Sequence, residues 1–207
     1  MRRPRFLRGP AGDRPDAQNG TAAGTDPPPI DPARAEARRE LADTHGWNYA
    51  ERHQAAIRGW PRTALPPGPL GRVRHELTGR HRGRPFRIFD YVHHGAPGAP
   101  WQRIEVCAVA LPAPVPYIYI RDPGGSTGDG DGVYAESPEA RFATELLSEP
   151  VRADLRHYGF TDLVMDRDVL ICTSDGGGPG PAEARLEALT DIVDRIPADV
   201  WARWGRD

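Results

Sequence analysis

The sequence predicts an α+β domain: a mainly antiparallel, strongly bent sheet of about six or seven strands carrying a C-terminal helix. Three observations lead there. Between residues 72 and 121 strand-like runs follow one another with turn residues and no helical stretch between them, the signature of antiparallel neighbours. Helical periods occur near the start, between two strand-rich regions and at the end. The chain of 207 residues holds 23 Pro and 23 Gly, so its elements must be short and often interrupted.

Residues 1–30 are small, polar, Pro-rich and aperiodic, with a basic tip, and predict a disordered arm; residues 31–207 then form a single domain. Asp31-Pro32 makes a helix start, an N-cap followed by Pro at the first helical position, and Gly46 is placed to end that helix. Its apolar stripe is thin, so it should lie on the domain rather than inside it. WNYAER reads as a short strand, whereas Trp60-Pro61 and PPGP exclude regular structure from residues 54–70. A hairpin follows, with strands at 72–78 and 85–93 and a turn punctuated by Thr78-Gly79 and Gly83. Alternation puts Phe86, Ile88, Asp90 and Val92 on one face, and Arg87, Phe89, Tyr91 and His93 on the other.

Pro112, Pro114 and Pro116 separate a strand at 101–111 from one at 116–121. After the loop DPGGSTGDGDG, Ser137-Pro138 starts a helix with Phe142, Leu146 and Leu147 inward. Ser148-Glu149-Pro150 restarts it, and Gly159 stops it. TDLVM and DVLICT flank Asp166-Arg167 as a second hairpin. Leu186, Leu189, Val193 and Ile196 keep a helical period that Pro197 ends, and Trp201 and Trp204 stand one turn apart beyond it. Counted as seven strands closed by a C-terminal helix, this order resembles a pleckstrin-homology-like barrel.

Charge is distributed unevenly. All 27 basic side chains are Arg. That bias runs through the whole chain and reads as codon usage rather than as a site. The net charge of −2 hides a split: residues 1–120 hold 18 Arg against 11 acids, and residues 121–207 hold 9 Arg against 18 acids. Opposite halves can attract each other within the fold or between copies. Cys107 and Cys172 both lie in apolar strand-like runs and read as reduced core thiols of a cytoplasmic protein. The start MRRPRFLRGP comes near a twin-arginine export signal, but an extra residue precedes Phe6-Leu7 and no apolar stretch follows. No run approaches membrane-spanning length.

Several chemistries are excluded or weakened by spacing. Aligning DGDG at 129–132 with a calcium loop places Thr127 and Pro138 where the end ligands belong, leaving an acidic surface loop. DGGGPGP at 175–181 lacks the residues that make a phosphate loop, so no nucleotide cofactor is expected. There is no GxSxG, and neither Cys has a neighbouring His, so no catalytic residue is assigned. A metal site from His75, Asp90 and His94 would need a bend, since Asp90 and His94 stand about 13 Å apart along a straight strand.

The stretch GRVRHELTGRHRGRPFRIFDYVHHG makes the best functional claim. Arg72, Arg74, Arg80, Arg82, Arg84 and Arg87 gather there, with Glu76 the one acid between the first and the last of them, and guanidinium forks can grip phosphates or carboxylates. A slightly negative chain is a poor match for nucleic acid. The expected partner is an acidic protein segment, an anionic surface, or the acidic half of a second copy. A small metal-dependent hydrolase built on His75, Asp90 and His94 is the alternative, and a purely structural domain the third reading.

GWNY, LTGRHRGRPFRIFDY, ALPAPVP, ARFATELL and IVDRIPADVW occur in this order over about residues 36–204. They resemble a family of uncharacterised actinobacterial proteins, in which the same segments run from a Gly-Trp near the start to a closing RIP…VW. The resemblance implies a shared architecture and carries no activity, cofactor or catalytic residue with it.

Overall fold

Alternation along four consecutive strands decides the architecture. The computed structural model describes residues 27–58, 60–96, 99–121, 132–174 and 179–205. Most of the N-terminal arm, the Asp129–Asp131 part of the acidic loop and residues 175–178 of the Gly-rich run lie outside the described residues. Helix α1 (Pro32–His45) begins where Asp31 accepts hydrogen bonds from the Ala33 and Arg34 amides, and it ends at Gly46 with φ 66°. Strands β1 (Asn48–Arg52), β2 (Arg72–His81), β3 (Arg84–His93) and β4 (Gln102–Arg121) then pair in order, each antiparallel to the last.

Strand β5 (Tyr134–Glu136) continues along the far half of β4 beyond β3. After α2 (Ala140–Leu146) and α3 (Glu149–Tyr158), β6 (Asp162–Thr173) pairs with the other side of β4. Helices α4 (Ala182–Arg195) and α5 (Ala198–Trp204) end the chain. The result is an α+β fold with a six-stranded antiparallel sheet that is not closed. Strand β1 pairs with β2 alone and β6 with β4 alone, so the sheet keeps two free edges and is not a pleckstrin-homology-like barrel.

Two interruptions expected from the sequence are bulges within continuous strands. Pro112, Pro114 and Pro116 sit inside β4, where it has left β3 at Val109 and not yet met β5 at Tyr119. On that side no neighbour asks for the missing N–H groups. On the other side, the ladder to β6 breaks its register between Ala110 and Ile118. The Asp166-Arg167 hairpin turn is likewise a bulge: Arg167 has φ 57° and stands opposite Val115 in an unbroken β6. Bulges facing each other on paired strands bend the sheet here.

Each sheet face is covered differently. Leu77, Phe86, Ile88, Val109 and Ile118 meet Phe142, Leu155, Leu186, Leu189 and Val193 from the helices. Cys107 and Cys172 stand directly opposite each other on this face, buried, with the Cys107 thiol pushed well up by burial and by its hydrogen bond to Cys172. The reverse face is covered by residues 54–65, two 3₁₀ turns that bury Ala56, Ile57, Trp60, Ala64 and Leu65 against Val73, Phe89, Tyr91 and Ile171. No helix among the described residues is long and apolar enough to cross a membrane.

One polar cluster is buried under α1. Asp90 and Glu105 are cross-strand partners on β3 and β4. Arg34 reaches both oxygens of Asp90, at 2.5 and 2.6 Å, and Glu105 at 2.8 Å. Arg38 also bonds Glu105, and Arg185 meets it from α4 at 2.8 Å. Asp90 is fully buried. Asp90→Ala leaves three guanidinium groups to share Glu105 alone and should cost about 3 kcal/mol, read from urea unfolding. A midpoint equal to the wild type would show that the cluster does not hold the fold.

Candidate functional site

The arginines of the hairpin fall into three groups with different fates. At the tip, Arg82 (φ 47°) and Gly83 (φ 79°) form a two-residue turn, so the strands run on to His81 and Arg84, and Thr78-Gly79 lies inside β2. The tip rests on α4. Arg82 meets Glu187 at 2.9 Å, Asp191 at 2.5 Å and Asp194 at 2.9 Å; Arg84 also bonds Asp194, and His81 bonds Glu187. Positions 187, 191 and 194 share one helix face, which makes an acidic row. His45 extends the contact to Glu183 at 2.7 Å. The basic and acidic halves of the sequence therefore meet inside the chain. Burial pushes Asp191 up, but hydrogen bonds from Tyr158 and Arg82 outweigh it and leave the carboxyl below its ordinary value. The same bond to Asp191, with burial, pushes the Tyr158 hydroxyl up to about 12.

In the middle of the hairpin, Arg87 is buried. Its Nε lies 2.8 Å from Glu76, its Nη1 donates to the Ala56 carbonyl at 3.0 Å, and its guanidinium lies 5.8 Å from the Trp60 ring centroid. His53 bonds the other oxygen of Glu76. Burial lowers the Arg87 pKa, partly offset by Glu76. Arg80 is exposed at the surface and donates to Gly83 O at 2.6 Å. His53, Glu76, Thr78, Arg80 and Arg87 line a cleft of about 600 Å³ along β1 and β2.

The open end of the hairpin is different. Register places Arg52, Arg74, Asp90 and Glu105 in one cross-strand row, and Arg72, Val92 and Arg103 in the next row on the same face. The two acids are held by Arg34, Arg38 and Arg185. Among the described residues, Arg52, Arg72 and Arg74 have no acid in ion-pair contact. Arg74 donates to the carbonyls of Pro28 and Pro29. Its pKa is lowered, first by burial and then by Arg52 and Arg72. Arg103 stands 3.9 Å from Asp31. Pro28, Pro29, Arg74, His75, Trp101 and Arg103 line a cavity of about 300 Å³.

The three residues of the metal alternative have separate partners. His75 occupies a bulge at φ 50° with its Nδ1 3.0 Å from the Tyr49 hydroxyl, and burial lowers its pKa. Asp90 is bound by Arg34. His94 turns its Nδ1 to the Ala96 carbonyl at 2.9 Å and packs edge-on to Trp101. Among the described residues, no group of three His, Cys, Asp or Glu side chains is placed to hold a metal ion. Nothing in the sequence around Arg52 and Arg103 marks them as part of this group. Only the strand register, which sequence spacing does not give, sets them beside Arg72 and Arg74.

No protein-family model and no curated protein sequence matches the chain. Among solved structures, the crystal structure of the mycobacterial trehalose monomycolate transport factor A, TtfA, is similar with a TM-score of 0.60 and 11% identity. The likeness covers 86% of this chain and 99% of that one. At that identity it shows a shared fold, and the arginine placement has to be argued from this chain's own residues.

The contact between tip and helix is measurable on its own. A non-glycine residue with left-handed φ is strained by about 1 kcal/mol, and Asn tolerates that region better than Arg. In about 1 M salt, where exposed ion pairs are screened, Arg82→Asn should be more stable than the wild type by roughly 0.5–1 kcal/mol. At low salt the gain should shrink or reverse, and urea unfolding at both salt levels reads it. Because the folded Asp191 value is depressed, its contribution is complete above the unfolded value near 4 and disappears as pH falls through the folded one. A salt-independent difference would show that Arg82 contributes nothing through its charge.

Proposed function

We propose that the chain is a non-catalytic binding module for an anionic partner, belongs to the actinobacterial family its motifs resemble, and works in the cytoplasm with Cys107 and Cys172 as reduced core thiols. The binding face is the open end of the hairpin, Arg72 and Arg74 together with Arg52 and Arg103. One observation carries the reading. Arg52 and Arg74 are direct cross-strand neighbours with Arg72 beside them; both arginines lower the Arg74 pKa, Asp90 on its other side offsets them only as the smallest of the named causes, and none of the three arginines has a described acid in ion-pair contact. An arriving carboxylate or phosphate would remove that repulsion and find planar donor forks already in place.

The arginines of the tip are poor candidates for the same work, because Arg82 and Arg84 already hold α4. For the same reason the acidic row of α4 is a poor landing site for a second copy. An acidic protein segment or an anionic surface remains as partner. A transport factor on a similar fold is compatible with a role in binding.

A fluorescein-labelled poly-glutamate peptide is a direct probe. The wild type should bind it with a marked salt dependence. Replacing both Arg52 and Arg72 by Gln should weaken binding about tenfold and flatten that dependence. Arg82→Gln should leave affinity nearly unchanged. Equal affinity for the double variant, or no binding by the wild type, would refute the reading.

A further inference from the structure

The antiparallel order of β1 to β4 sends two connections, residues 53–71 and 94–101, out of one end of the sheet. That end gathers the exposed arginines Arg52, Arg72 and Arg103. It also carries an apolar projection. Pro67, Pro69 and Leu70 are exposed, and Leu70, at 58%, is one of two large hydrophobic side chains exposed among the described residues. Single exposed apolar residues are common and mean little alone. This one is presented by a braced segment.

Arg62 donates from Nη2 to the Gly68 carbonyl at 2.9 Å. Gly68, at φ 120°, lies so close to the backbone of His94 and Gly95 that an added Cβ would stand 3.1–3.2 Å from their carbonyl oxygens. The PPGPL segment is thus seated on the second connection, which brings in half-buried Trp101. Three prolines and a hydrogen-bonded glycine mean that little further ordering is needed when Leu70 is covered.

From this combination we propose that the anionic partner is a lipid bilayer surface, docked by the arginine end with Leu70 and Trp101 entering the headgroup region. The proposal rests on the anion-binding reading above and narrows it. A bilayer supplies both demands at once: fixed negative charge facing Arg52, Arg72 and Arg103, and an apolar layer a few ångströms deeper for Leu70. Trp suits the boundary between them, with an apolar body and one polar edge. An acidic peptide would satisfy the guanidinium groups and leave Leu70 in water.

Co-sedimentation with phosphatidylcholine vesicles, with and without phosphatidylglycerol, tests this. The full chain should sediment with the anionic vesicles only. Leu70→Ser removes an exposed side chain and should fold normally. It should weaken vesicle binding about tenfold while leaving poly-glutamate affinity unchanged. Arg52→Gln with Arg72→Gln should weaken both. Poly-glutamate binding without vesicle binding would overturn the lipid assignment and leave the anion reading standing. Vesicle binding indifferent to Leu70→Ser would also overturn it. Absence of both kinds of binding would overturn the two together.

Discussion

The buried pairing of Asp90 with Glu105 is the constraint from which the rest of the charge arrangement follows. Two carboxylates directly opposite each other on adjacent central strands repel, and burial makes the repulsion worse. They are tolerated because Arg34 and Arg38 come down from α1 and Arg185 comes across from α4. That clamp fixes where both helices lie on the sheet. With α4 fixed, its row of Glu187, Asp191 and Asp194 lies beneath the hairpin tip. With α1 fixed, the Pro28 and Pro29 carbonyls lie against Arg74. The cluster also uses up the acids of the row that Arg52 and Arg74 share, which leaves those two facing each other.

The hairpin is therefore two surfaces on one motif. Arg74 and Arg82 are eight residues apart, roughly 26 Å along an extended strand, further than a Debye length at physiological salt. What happens to charge at the tip has little electrostatic effect at the open end. The tip's ion pairs are partly exposed and individually weak, yet Arg82 joins three acids in a single turn and holds the hairpin to the helix through several partial contacts. The open end has Arg52, Arg72 and Arg74 without an acid in ion-pair contact among the described residues, an exposed leucine and a cavity.

The sequence shows the structure directly where the physics is local. Asp31-Pro32 and Gly46 bound α1 because capping and left-handed φ are properties of a few adjacent residues. The two faces of FRIFDYVH follow from the pleat, and Phe86 and Ile88 do face the helices while Phe89 and Tyr91 face the Trp60 side. Whether a strand breaks is decided by distant partners that the local sequence does not show. Three prolines look like a strand end until it is known that β4 has no partner on one side there. Asp166-Arg167 looks like a turn until Val115 is found opposite it. Residues 54–65 look like a loop because Pro and Gly forbid long elements, and only the sheet behind them shows that Trp60 is a core residue. The candidate site follows the same rule. Arg72 and Arg74 are neighbours in sequence, whereas Arg52 and Arg103 join them through ladder pairs.

The same clamps bear on the proposed binding role. Asp90, beside the smaller cavity, carries the Arg34 fork on both oxygens. Glu76, in the larger cleft, lies between Arg87 and His53. In each case the oxygens of the acid are taken up by neighbouring side chains, an arrangement that orients those side chains. Arg52, Arg72 and Arg74 keep no acid in ion-pair contact among the described residues, with Asp90 offsetting the charge around Arg74 only in part, and positive charge gathered at the end of a sheet favours an approaching anion.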